Sequence, residues 1–110
     1  MATKVNVKFV ILLAVALAVA TTLPYLQTAS FGFVTFDDPG YVRDNPIVAD
    51  GLTADGVARA FGEARMANWH PLTWLSHMLD VELFGMDAGA HHLVNVALHA
   101  LNAALLFLAL

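Results

Sequence analysis

Two stretches of this chain are uncharged and long enough to cross a lipid bilayer, and nothing else in the sequence constrains its fold as strongly. No ionisable acid or base interrupts Phe9 to Ala20, and no Asp, Glu, Lys or Arg interrupts Ala88 to Leu110. A helix rises about 1.5 Å per residue, so about 20 apolar residues cross the hydrocarbon core. The first run reaches from Val5 to Leu26, with Lys8 near its start and Tyr25 where an interfacial aromatic is expected. The same features fit a cleaved signal peptide: a basic start, an apolar middle and Ala18-Val19-Ala20 as a cleavage site. The second apolar run favours a retained span. The expected fold is an all-α membrane protein with two transmembrane helices, residues 1–26 and 88–110, flanking a loop at 27–87.

Charge is concentrated between the spans. All nine acidic residues lie from Asp37 to Asp87, with Arg43, Arg59 and Arg65 among them, a net of −6 for that segment. Lys4 and Lys8 precede the first span. The positive-inside tendency then puts the N-terminus in the cytoplasm and the loop outside. No basic patch is available to neutralise phosphates, which argues against nucleic acid as a partner. Cysteine is absent, so disulfides and thiolate metal sites are excluded. The second run ends without a polar flank, and the chain is expected to be the N-terminal fragment of a longer multi-pass protein.

The loop has its own organisation. Phe31-Gly-Phe-Val-Thr-Phe36 suits extended chain or a membrane interface. Asp38-Pro39-Gly40-Tyr41 predicts a type I or type II turn, and Asp44-Asn45-Pro46 a second turn. Thr53 is a candidate N-cap for a helix to about Ala64, with Ala54, Val57, Ala58 and Phe61 as its apolar stripe. Pro71 fits the first position of another helix, which ends near Gly85. Leu72, Leu75 and Leu79, widened by Trp74 and Met78, predict its buried face. Two tryptophans and short amphipathic helices suit a small helical cap on the membrane surface.

Three groups of residues could carry chemistry. In Asp37-Asp38, Asp38 precedes Pro39 and is placed to cap the turn, which leaves Asp37 as a free carboxylate able to act as a general base toward a hydroxyl. Turn-forming acids in a solvated loop are the plainer reading. On the second span, His91, Asn95, His99 and Asn102 step by four, four and three residues along one face. Polar groups at membrane depth face a bundle interior or a wet cavity, and hydrogen bonding to neighbouring helices is the alternative to a ligand role. His91 and His92 fall at the membrane boundary, within reach of an anionic headgroup. A metal could draw on His70, His77, Asp80, His91 and His92. Without a His-x-x-x-His or Glu-x-x-His pair no dedicated zinc centre is expected. A divalent cation shared by Asp37 or Asp38 and a phosphate is the other metal reading.

The order of motifs resembles a known family. After the first span come Phe36-Asp37-Asp38-Pro39-Gly40-Tyr41-Val42 and Asp44-Asn45-Pro46. Then follow Asn68-Trp69-His70-Pro71-Leu72-Thr73-Trp74-Leu75-Ser76-His77-Met78-Leu79-Asp80, Leu83-Phe84-Gly85 and His91-His92-Leu93-Val94-Asn95. This is similar to the N-terminus of the transmembrane and tetratricopeptide-repeat glycosyltransferases of the GT-C superfamily, which also holds the protein O-mannosyltransferases. The resemblance implies a polyprenyl-phosphate sugar donor and an acceptor hydroxyl, often on a protein, on the outer face of a bacterial inner membrane or endoplasmic reticulum membrane. It implies that Asp37 and Asp38 stand in the acidic motif of the first outer loop. His70-Pro71-Leu72 resembles the His-Pro-Pro-Leu motif of the O-mannosyltransferases with one proline missing. His70, His91 and His92 are then candidates for the donor phosphate. Repeats and further spans would follow Leu110, and the fragment alone is expected to be inactive. A non-catalytic scaffold with an acidic protein-binding loop, and a transporter subunit with a polar pathway, are the rival readings.

Overall fold

The structure, a computed structural model, describes residues 5–110; Lys4, one of the two lysines used for the orientation, lies outside them. The described residues form helices and turns with no strand, and two helical stretches, Val7–Ser30 and Ala88–Ala109, are long and apolar enough to cross a membrane, with mean hydropathies of 2.3 and 1.6. Four α-helices run in order: α1 Val7–Thr22, α2 Ala54–Gly62, α3 Pro71–Phe84 and α4 Ala88–Ala109. The chain divides into two compact units, residues 1–28 with 93–110, and residues 29–92.

In the first unit, Asn6 caps α1, its side-chain oxygen accepting from the Lys8 and Phe9 N–H groups at 3.1 and 3.4 Å. Thr21 and Thr22 sit in this apolar helix because their hydroxyls donate back to the Leu17 and Ala18 carbonyls, both at 2.8 Å. No hydroxyl is left to bury unpaired. Pro24 lacks an N–H and cannot continue the α-helical ladder. From Leu23 to Ser30 the chain winds on as a tighter 3₁₀ helix. The buried positions are Ala14, Val96 and Ala100. The Tyr25 ring meets His99 edge-on, with centroids 5.8 Å apart.

The second unit has a core of Val42, Ile47, Val48, Ala60, Trp74 and Met78, with Phe33, Tyr41, Val57, Leu75 and Val81 packed against it. Thr53 caps α2 as expected, accepting from the Gly56 N–H at 3.0 Å. The helix ends at Gly62, and its buried residues are Gly56 and Ala60; of the expected stripe only Val57 is half-buried, while Ala54, Ala58 and Phe61 are exposed. Small residues let α2 lie close to its neighbours; a side chain at Gly56 would press on the Ile47 carbonyl. Pro71 opens α3 and Gly85 closes it, as expected.

The expected buried face of α3 is corrected. Trp74 and Met78 are buried as expected and Leu75 is half-buried, but Leu72 is 73% exposed and Leu79 45%, and the polar Asp80 is buried instead. Nearly every turn of α3 carries apolar residues on several sides, so the helix is oriented by what Trp74 and Met78 pack against. Asn45 organises the second turn: fully buried, it accepts from the Ile47 N–H and donates to the Tyr41 carbonyl, both at 3.0 Å.

Candidate functional site

The acidic loop takes a different form from the four-residue turn expected of it. Pro39–Arg43 winds as a wide π-type turn, closed by the Asp44 N–H donating to the Pro39 carbonyl at 2.8 Å. Asp38 does not cap that turn with its side chain. Its carboxylate reaches back and accepts from the Val34 N–H at 2.7 Å, holding the preceding extended segment. Asp37 is exposed, and its carboxylate hydrogen-bonds to none of the described residues. Asp38 is thus tethered to the preceding segment and not to the turn it was expected to cap.

Residues 65–68 form a tight turn beside the acidic loop. Arg65 and Asn68 exchange two backbone hydrogen bonds, both 2.9 Å, across Met66 and Ala67, whose φ angles are 51° and 60°. Two left-handed residues in succession make a type I′ turn, usually built from Gly and Asn. The turn is held against the acidic loop. Arg65 donates to the Gly40 carbonyl at 3.1 Å and the Asp44 carbonyl at 3.3 Å, and Asn68 donates to the Tyr41 hydroxyl at 2.9 Å. The half-buried His70 ring lies 6.4 Å from Tyr41 and 5.8 Å from Trp74, which are themselves 5.1 Å apart. The Phe36–Val42 and Asn68–Asp80 segments thus meet through these side chains.

Deeper in the same unit, His77, Asp80 and His91 come together, with one ligand-type atom of each within 4.8 Å of the others. His77 and Asp80 share a face of α3 by their i, i+3 spacing. His91 arrives from the first turns of α4, turned back by Gly85 at φ 62°, a backbone geometry that favours glycine. Asp87 anchors the start of α4 by accepting from the Ala90 N–H at 2.9 Å. Gly89 leaves room for the Ala29 carbonyl, which any side chain would strike. The His77 Nδ1 and His91 Nδ1 atoms lie 3.9 and 3.8 Å from the same Asp80 oxygen, Oδ2. Burial pushes the Asp80 carboxyl above its ordinary value, with His91 opposing. Burial pushes the His77 imidazole below its ordinary value, His91 adds to this, and Asp38 opposes it.

His91, expected to face a headgroup, is only 3% exposed; its Nε2 donates to the Gly85 carbonyl, which can only accept, at 2.9 Å. His92 has a ring nitrogen 3.1 Å from the Gly32 carbonyl and lies edge-on to Phe33. Along the rest of the stripe, Asn95, His99 and Asn102 are exposed, and Asn95 and His99 line a groove of about 240 Å³ with Tyr25 and Val96. Of the five metal candidates in the sequence, the structure brings His77, Asp80 and His91 together and leaves His70 and His92 outside the group; the reversal at Gly85 is what returns His91 to α3. Arg65 and Gly85 carry no signal of a functional position in the sequence. No family model, curated protein or solved structure matches this chain.

Proposed function

We propose that this chain is the N-terminal part of a membrane glycosyltransferase of the GT-C type, transferring a sugar from a polyprenyl-phosphate donor to an acceptor hydroxyl on the extracytoplasmic side. In this reading both long apolar helices are membrane spans, the N-terminus is cytoplasmic and residues 27–87 face outward. The observation that carries the proposal is the meeting of two motif segments: the exposed Asp37 stands on a loop braced by Arg65 and Asn68, and the ring group of Tyr41, His70 and Trp74 joins that loop to α3.

The chemistry assigned to Asp37 is proton abstraction. Its carboxylate takes the acceptor hydroxyl's proton as the oxygen attacks the anomeric carbon; the bond from that carbon to the phosphate oxygen breaks, and polyprenyl phosphate leaves with inversion at carbon. A positioned general base contributes about 10²–10⁴-fold. His70, at the edge of the ring group, is assigned as the phosphate contact. His91 is withdrawn from that role by its burial. Any acceptor, a protein hydroxyl included, would approach on the Asp37 side of the loop.

The test is sugar transfer from a polyprenyl-phosphate sugar by the full-length protein in membranes. Asp37→Asn should fold and lose about 100-fold or more in rate. Asp38→Asn should lose less, since the amide oxygen can still accept from the Val34 N–H. Full activity in Asp37→Asn would end the general-base assignment and favour a non-catalytic scaffold with an acidic binding loop.

A further inference from the structure

We propose that His77, Asp80 and His91 bind a divalent transition-metal ion, with zinc the best match, through Nδ1 of each imidazole and Oδ2 of Asp80. The site stands apart from the sugar-transfer reading and would exist whether or not the chain transfers sugar.

The first argument is the protonation pattern. His91 Nε2 lies 2.9 Å from the Gly85 carbonyl, an acceptor only, so Nε2 carries the hydrogen. In the neutral ring Nδ1 is then a bare lone pair, and it points at a carboxylate oxygen 3.8 Å away. Two lone pairs facing each other in a buried place repel unless something positive lies between them. Metal-bound histidines characteristically donate their other ring N–H to a backbone carbonyl or carboxylate, as His91 does to Gly85.

The second argument is the absence of ordinary partners. His77 Nδ1 and His91 Nδ1 are buried with no hydrogen-bond partner among the described residues. Asp80 is 3% exposed, and its carboxylate accepts no hydrogen bond from the described residues. A buried carboxylate without donors is costly, and the general remedy is pairing or a metal. The separations of 3.8 and 3.9 Å are too long for a shared proton, since hydrogen bonds lie near 2.7–3.2 Å.

The third argument is fit. Zinc bonds of about 2.0–2.1 Å in a tetrahedron set ligand atoms about 3.4 Å apart. The two Nδ1–Oδ2 separations exceed this by about half an ångström, and all three ligand atoms lie within 4.8 Å of one another, a spread that side-chain rotations can close. Two imidazoles and one carboxylate suit zinc, or ferrous iron in a facial triad, and exclude ions that demand thiolates. Three protein ligands leave a fourth position for water or a ligand oxygen.

The experiment uses the 110-residue chain in detergent, stripped with a chelator and titrated with zinc alone, and with cobalt as a spectroscopic probe. One equivalent should bind, raise the unfolding temperature, and give the intense visible cobalt bands of a four-coordinate nitrogen and oxygen site. Asp80→Asn and His77→Gln should each weaken binding by more than about 100-fold, beyond the loss typical of outer-sphere changes. His92→Gln, next in sequence but outside the cluster, should bind as wild type. His77 is half-buried, so its variant keeps the test sound if Asp80→Asn does not fold. Absence of stoichiometric binding at micromolar zinc, or binding that survives Asp80→Asn or His77→Gln, would overturn the site.

Discussion

At the scale of single residues, Asp80 is a carboxyl group buried without a hydrogen-bond donor among the described residues. Burial raises its carboxyl above the ordinary value of 3.8, so the ionised form is disfavoured in the fold. The folded state then holds the proton more tightly than the unfolded state, and stability is lost as pH rises from 3.8 through the raised folded value. His77 behaves oppositely. Its value lies below 6.5, so stability is lost as pH falls from 6.5 through the depressed folded value. In chelator at neutral pH, Asp80→Asn should therefore be more stable than wild type, and the gap should close as pH approaches 3.8. Saturating zinc should reverse the order by stabilising wild type alone. Thermal unfolding with and without metal checks both; a less stable Asp80→Asn in chelator would mean that an imidazolium already satisfies the carboxylate. A residue that destabilises the empty fold and rewards only the loaded one is what a binding site looks like energetically.

Elements show which parts of the fold can be read from sequence and which cannot. Helix ends were legible because they depend on neighbours in the chain: Thr53 caps α2, Pro71 opens α3 and Gly85 closes it. Buried faces were not. On α3 the leucines at 72 and 79 match helical periodicity yet are exposed, while Asp80, polar by type, is buried. A helix with apolar residues all round does not specify its core face; Trp74 and Met78 decide it through long-range packing. The three members of the proposed metal cluster were all among the five candidates in the sequence, but which of the five meet was not legible, since His91 comes from another helix. The turn at Met66 and Ala67 was invisible because neither residue favours positive φ. Each left-handed non-glycine residue costs about 1–2 kcal/mol. Ala67→Gly should recover part of this, about 0.5–1 kcal/mol after glycine's larger unfolded-state entropy. Chemical unfolding of the chain in detergent would record a higher midpoint at constant slope. A lower midpoint would mean the turn is unstrained. Because Arg65 and Asn68 flank this turn and hold Gly40 and Tyr41, its strain is stored beside the acidic loop.

At the scale of the whole molecule, the decisive question is on which side of a bilayer the second unit stands. Two helical stretches of 24 and 22 residues carry enough hydropathy to span, and between them lies a segment holding every acidic residue of the chain. An even number of crossings returns both ends of the chain to one side. With Lys4 before the first stretch, Lys8 at its start and no basic residue after Arg65, the proposed topology puts that side in the cytoplasm. The chain has no cysteine, so one introduced thiol reports without background. Ala54 is the place for it: exposed, at the first position of α2, and away from the core of the second unit. In intact cells expressing Ala54→Cys, a membrane-impermeant maleimide should label the protein fully, with no increase on permeabilisation. Labelling only after permeabilisation would put the loop in the cytoplasm and remove any access of Asp37 to a donor on the outer face. A mature N-terminus near Thr21 would instead identify the first apolar run as a cleaved signal, leaving α4 to anchor the second unit by a single span.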